Sequence, residues 1–536
     1  MSSTFGTITT VRLGIYAAQK GLDVTGNNIT NINTNGYTRQ RLDQISLVTS
    51  ASDKYGSQYK ARVGQGPVLT GISQLRDPGM DISYRKANSD VGSADQMLAG
   101  LEDLAGILDE VGKGDGEQDD GVILNQLNDL RDLINQALTN GIEDYEGSIR
   151  ASANALCTQF HQYAKALEGL MEDYETQLNE DTTRVNQILT ELRDVNLQIR
   201  NSDVRGDAAL ELRDKRNLLL DELSGYMKID VTYSMVDAGG GYMVEEMSVK
   251  LADKNNPETF LVKGEYAARI GTTGQADGYK VNVYALRNKD GEKKDPNATD
   301  PVTLGDNDLY GSLQSLRELL TEEGEYASAA DSKTDPNAAS KRGIPYYIKQ
   351  LDSLAQTFAE EMNKLNTVTP GTNIDGAGDL FETNDGSGAI TAGNITISQE
   401  WAEGTVKMLS TRDPNAPTDD RSNLAEFLNL FNSKDIEFDP KDIVGDAQGA
   451  TYEGSFESML LRIQSTLAQD QMAATTTVSN YAITLNNVYT DRDSITGVDL
   501  NDEATSLMVY QKAYTAACRV LTTLEEAIDT LLNATA

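Results

Sequence analysis

Residues 500–533 read LNDEATSLMVYQKAYTAACRVLTTLEEAIDTLLN, and the spacing of their apolar side chains decides what kind of fold the chain can have. Leu507, Tyr510, Tyr514, Ala517, Leu521, Leu524, Ile528 and Leu531 alternate steps of three and four. On a helix that spacing gathers all of them onto one narrow seam, the pattern of a coiled coil. The other end of the 536-residue chain repeats it in Ile8, Val11, Ile15, Ala18, Leu22, Thr25, Ile29 and Ile32. A lone amphipathic helix is marginal in water, and neither end has a nearby segment long enough to cover its stripe. The economical arrangement pairs the two ends with each other and leaves their remaining faces to other subunits. Asn501, before Asp502 and Glu503, is expected to cap the C-terminal helix. Asn35-Gly36 is expected to stop the N-terminal one, glycine taking the left-handed position.

Everything between the ends then reads as one long insertion. Ala94, Met97, Leu101, Leu104, Leu108 and Val111 keep heptad spacing until KGDGEQDDG (113–121) interrupts, and another helix follows around Leu127, Leu130, Ile134 and Leu138. The longest periodic stretch carries Ile149, Leu156, Phe160, Tyr163, Leu167, Leu170 and Tyr174, then resumes in Leu178, Val185, Ile188, Leu192, Val195 and Ile199. Two consecutive steps of four between Leu170 and Leu178 form a stutter that unwinds any supercoil locally. Unbroken, roughly fifty residues make a rod of about 75 Å. Near residue 226 the composition turns to β-formers alternating with Gly and Asp, the signature of short antiparallel strands. Helical periodicity returns near Leu313 and over 346–366, residues 370–450 look mixed around the sole tryptophan, Trp401, and from Phe456 onward the chain is helical. The expected fold is mainly α with an inserted β-rich domain at the far end. Its expected domains are a terminal coiled-coil domain (1–75 with 455–536), a helical bundle with short strands (76–225 with 311–454) and an outer β domain (226–310).

Composition excludes several function classes. A net charge of −37 argues against nucleic acid and anionic membranes, which are held by Lys and Arg. The start, MSSTFGTITTVRLGIYAAQKGLDV, shows no basic region followed by an apolar one, so no cleaved secretory signal is expected. Cys157 and Cys518 lie far apart and form no Cys-x-x-Cys pair. His161 is the single histidine, which rules out multi-histidine metal centres. Cys157 and His161 share a helix face at i, i+4, but a catalytic pair is normally assembled from separate elements with a third, orienting group, so packing is the preferred reading. The acidic loops at 113–121 and 295–308 do not fit the ligand frame of a calcium loop and read as solvated. No phosphate-binding glycine loop is present. No catalytic residue, cofactor or metal is expected.

One segment resists a bland reading. In GNNITNINTNGYTRQR (26–41), Asn27, Asn28, Asn31, Asn33 and Asn35 crowd a helix end, although asparagine is a poor helix former. Asn27, Asn31 and Asn35 recur every four residues, and amides that both donate and accept suit a packed interface between repeated copies.

These residues, with Gly36, Tyr37 and Arg39-Gln40, resemble the N-terminal signature of the flagellar axial proteins, the rod, hook and hook-associated family. The C-terminal segment is similar to the family's other end, in Glu503, Leu507, Tyr510-Gln511, Ala513-Tyr514 and Leu531-Leu532. ALELRDKRNLLLDELSGYMKIDV (209–231), YYIKQLDSLAQTFAEEMNKLNT (346–367) and NIDGAGDLFE (373–382) resemble the hook-associated members in particular, as does Tyr37-Thr38-Arg39-Gln40. The resemblance covers roughly the first 90 residues, 150–230, 340–400 and the last 80, and leaves the β insertion unmatched, as a variable outward-facing part would be. It implies a structural subunit exported through the flagellar type III apparatus, which polymerises at the distal end of the hook and joins hook to filament. Hook protein would lie below, a second hook-associated junction protein above, and an export chaperone would hold the C-terminal helix beforehand. The expected polymerisation interface comprises the bulky seam residues, the five asparagines, Gly36, Tyr37 and Gln511. Another rod or hook subunit, or a secreted adhesin or enzyme anchored by such termini, are the alternatives.

Overall fold

Helix α1 (Thr4–Thr30) opens the computed structural model, which describes residues 4–47, 66–108, 121–252, 259–305, 307–368 and 374–535. The chain turns back from α1 into an antiparallel ribbon, β1 (Gln40–Ser46) on β2 (Pro67–Gln74), which lies along α1. Asp77 then accepts the Gly79 N–H at 2.8 Å and Pro78 fits the first helical position, so α2 (Pro78–Ile107) starts well before its heptads at Ala94. After α3 (Val122–Asn140) comes α4 (Glu146–Val204), 59 residues and about 88 Å long at the usual rise. Its seam is the expected one, filled out by Ala164 and Met171, while Tyr163 and Leu170 sit at its margin.

Helix α5 (Leu210–Tyr226) leads into a six-stranded antiparallel meander in sequential order. Its strands are β3 (Ile229–Asp237), β4 (Met243–Leu251), β5 (Phe260–Lys263), β6 (Tyr266–Thr272), β7 (Val281–Arg287) and β8 (Val302–Thr303). The sheet packs along α4, where the Asn186 amide replaces a strand partner by donating to the Ile270 carbonyl (2.8 Å) and accepting the Ile270 N–H (2.7 Å). The polar exit at 295–308 is fastened at Asp300, which accepts from the Ala285 N–H, Arg287 and Lys293. Those bonds hold its carboxyl down at about 2.

The chain returns through α6 (Gly311–Thr321) and α7 (Ile344–Asn366), then two short ribbons, Phe381–Thr383 with Ile395–Ile397 and Ile436–Phe438 with Tyr452–Gly454, flanking α8 (Ser422–Asn432). Two long helices finish it, α9 (Phe456–Thr496) and α10 (Leu500–Thr535). One apolar core runs through α2 to α8 and the sheet, with Phe160, Phe358, Phe381 and Trp401 among its largest members. It takes in α9 only through its first three turns, as far as Leu467, and includes no residue of α1 or α10. Beyond Leu467, α9 lies on α2; α10 lies on α1.

Two local expectations need correction. Helix α1 ends at Thr30, because Asn31 and Thr34 start a turn; Gly36 is left-handed (φ 77°) but closes that turn rather than the helix. The cap of α10 is Asp499, whose carboxylate accepts the Asn501 N–H at 2.7 Å, so Asn501 is already helical. The 113–121 loop, apart from Gly121, and Val111 lie outside the described residues.

Candidate assembly interface and its joint

The paired ends meet on two unequal faces. On α10 the half-buried line is the expected seam, Leu507, Tyr510, Tyr514, Leu521, Leu524 and Ile528, whereas Gln511 and Leu531 are exposed. On α1 the buried positions are small or polar instead: Ala17, Ala18, Gly21, Val24, Thr25 and Asn28. The cause is Tyr510. A Cβ placed on Gly21 would come within 2.5 Å of that ring, so a tyrosine on one helix requires the absence of a side chain on the other. The line of contact is thereby turned off the bulky residues. Ile8, Val11, Ile15, Leu22 and Ile29 remain only half-buried, and Ile32 is exposed beyond the helix end.

At the end of α1 the asparagine cluster divides by role. Asn28, 1% exposed, donates to the Gln40 carbonyl (2.9 Å) and accepts from the Gln40 N–H (3.0 Å) and the Tyr37 hydroxyl (2.8 Å). These three bonds clamp residues 37–40 back onto the helix. Asn31 donates to the Asn27 carbonyl and side chain, and Asn27 to the Gln40 side chain. Asn33 and Asn35 point to solvent.

The residues that follow reach three different elements. Thr38 N–H donates to Asp214 and the Gln40 amide to Glu211, both in the first turns of α5. Arg39 donates to Glu503 of α10 at 2.7 Å, and its N–H to the Thr496 carbonyl at the end of α9 at 2.9 Å. Burial pushes the Asp214 carboxyl up to about 6, against the pull of Thr38 and Arg76. Burial, with Asp214 and Glu211 nearby, also raises the Tyr37 hydroxyl, which stays neutral and donates.

A second knot ties α9 to the bundle. Arg492 pairs with Asp81 (2.9 Å) and Asp221 (2.6 Å) and lies over the Tyr84 ring at 4.5 Å. Arg76 grips Asp81 through two nitrogens, and Arg85 pairs with Asp221 at 2.8 Å. Three guanidinium groups on two carboxylates are mutually satisfied away from water, which is what a partly buried charge requires. No short-range pattern announces this network, because its members lie on α2, α5 and α9 and in the loop before α2.

Elsewhere the singled-out residues pack. Cys157 is buried, its thiol pushed up to about 12, and His161 bonds to the Ile395 carbonyl at 2.7 Å. Among the described residues no group of acidic, histidine or cysteine side chains could hold a metal ion, and no helix is long and apolar enough to cross a membrane.

Long helices from both chain ends meet at charged joints and are largely exposed beyond them. Residues 116–381 match the family model of the flagellar hook-associated protein FlgK helical domain, and residues 493–534 that of the flagellar basal body rod FlgEFG protein C-terminal region. Flagellar hook-associated protein 1 of Bacillus subtilis is 26% identical over 554 residues, covering 99% of each chain. The protein of the same name from Salmonella typhimurium is 22% identical over 97% of this chain and 98% of that one. A solved structure, the flagellar hook junction protein FlgK from Burkholderia pseudomallei, aligns with a TM-score of 0.40 at 18% identity, over 56% of this chain and 46% of that one. The chain belongs to the flagellar hook-associated protein family and is a structural component of the bacterial flagellum.

Proposed function

We infer that this chain polymerises at the distal end of the hook and joins hook to filament, and that it carries out no catalysis. Its two ends form the inner part of a homo-oligomeric layer, on hook protein and beneath a second hook-associated junction protein. The observation that carries the reading is the exposed surface of α9 and α10. Met472 (71%), Ile483 (59%), Met508 (51%) and Val509 (58%) are apolar and open on stretches of helix that lie outside the core. Surface of that kind marks an interaction site. The half-buried residues of α1 from Ile8 to Ile29, with Asn33 and Asn35, belong to the same intersubunit face. Export without a cleaved signal peptide, with a chaperone on α10 until assembly, keeps this surface from associating early.

Deleting the gene tests the placement: filaments should be lost while hooks persist and flagellin appears in the medium. Normal filaments on the deletion strain would end the junction reading.

A further inference from the structure

The β3–β4 hairpin carries an apolar surface past the end of its own core. On one face Ile229 and Val231 stand opposite Leu251 and Val249; three of them are in the core and Val231 packs against it. The same face continues outward to Tyr233, Met235 and Met243, which are 41%, 60% and 55% exposed, and Tyr242 beside the turn is 64% exposed. The reason is where α5 begins. Arg216 lies over the Tyr233 ring at 4.9 Å, and Arg213 and Arg216 both pair with Glu245, the cross-strand partner of Met235. Arg213 is in the first turn of α5, so the strands run on past the helix that covers them. The first two turns of α5 also receive Thr38 and Gln40 of the N-terminal segment. The hairpin tip therefore projects beside the joint, on the side of the paired ends.

We propose that this tip is a contact between copies of the chain, each resting its Tyr233–Met235–Met243 shelf on the neighbouring copy in the same layer. The proposal rests on the reading of the chain as a polymerising subunit. Two arguments select a second copy. With Tyr242 beside the turn, the four side chains of the shelf offer about 400 Å² if each contributes about 100 Å², roughly half of what one partner gives to a stable soluble complex. Such a patch holds only a neighbour already kept close by other contacts, where effective concentration does the rest. It is also continuous, through α5 and the joint, with the helices whose exposed faces carry the polymer reading. Methionine suits the role, because its unbranched thioether repacks as neighbours shift.

The test places photo-reactive p-benzoylphenylalanine at Met235 in one strain and at Val520, exposed on α10, in another, and irradiates assembled flagella. A product from position 235 at twice the 58.2 kDa chain mass, containing only this chain, is expected. A product with a different flagellar protein, or none, while position 520 cross-links, overturns the shelf and leaves the polymer reading standing. No product from either position overturns both. In parallel, Met235→Gln with Met243→Gln should leave the thermal midpoint of the purified chain unchanged. The same pair should reduce at least three-fold the cells that keep filaments after mechanical shear. Undiminished retention overturns the proposal.

Discussion

Replacing Asn28 by alanine should release the turn that links α1 to α5 and α10. Its amide makes three bonds, two of them to the main chain of Gln40, a residue only 6% exposed. The Tyr37 hydroxyl, on a half-buried residue, can turn to water and counts for little. The Gln40 N–H and C=O cannot, and a buried group left without a partner costs about 1–3 kcal/mol. Two such groups come to about 3 kcal/mol at the lower middle of that range, or about a hundredfold in the local opening equilibrium. Hydrogen–deuterium exchange of the purified chain reads this directly, since amide protection reports local opening. Peptides spanning 37–46 should exchange about a hundredfold faster in Asn28→Ala than in the parent chain, while peptides from the middle of α4 keep their rates. Asn33→Ala is the control, because Asn33 is exposed. Unchanged exchange in Asn28→Ala, or an equal effect from Asn33→Ala, would refute the division of roles within the asparagine cluster.

Gly21→Leu should block flagellar assembly by driving α1 off the Tyr510 ring, and adding Tyr510→Ala should partly restore motility; no rescue would locate the defect elsewhere. Arg492→Gln should lower denaturant-measured stability by about 2 kcal/mol, a charge-assisted loss moderated because Asp81 keeps Arg76 and Asp221 keeps Arg85. Polar replacement of Leu521 and Leu524 should stop assembly without moving the thermal unfolding of the middle of the chain, and unchanged motility would count against the terminal pairing. Burial raises four carboxyls, Glu322 to about 7 and Asp181, Asp214 and Asp352 to about 6. Raised acids bind protons more tightly in the folded chain, so their contribution to stability is greatest below the unfolded values near 4 and declines as pH rises through the folded ones. The thermal midpoint should therefore be higher at pH 5 than at pH 7.5, and Glu322→Gln should flatten the slope; a midpoint that rises with pH would reverse the assignment.

The C-terminal seam was legible because its large residues are the ones that make contact. The N-terminal seam was legible only as a helix. Its bulky residues fit the heptad, yet the contact passes through Ala17, Ala18, Gly21 and Val24, since what fits beneath Tyr510 is set by the partner and not by the helix's own hydrophobicity. The cluster of asparagines was plain to see, but nothing in their spacing separates the buried Asn28 from the exposed Asn33 and Asn35, because burial depends on where Gln40 returns. The β1–β2 ribbon gave no signal. Its strands are mostly half-exposed and carry no clean alternation. The early start of α2 could have been read from Asp77-Pro78, a cap followed by a proline suited to the first turn.

The Arg39–Glu503 bond spans 464 residues. Between its two halves lies the whole of the bundle and sheet, whose contacts close without α1 or α10. A chain that emerges from its N-terminus can thus complete its middle while its first helix still waits for a partner at the other end. The terminal pairing carries the largest loop-closure demand in the molecule and is the last of its structures able to form. Delivery of the final helix thereby acts as a clock: a subunit cannot present finished ends until all of it has arrived.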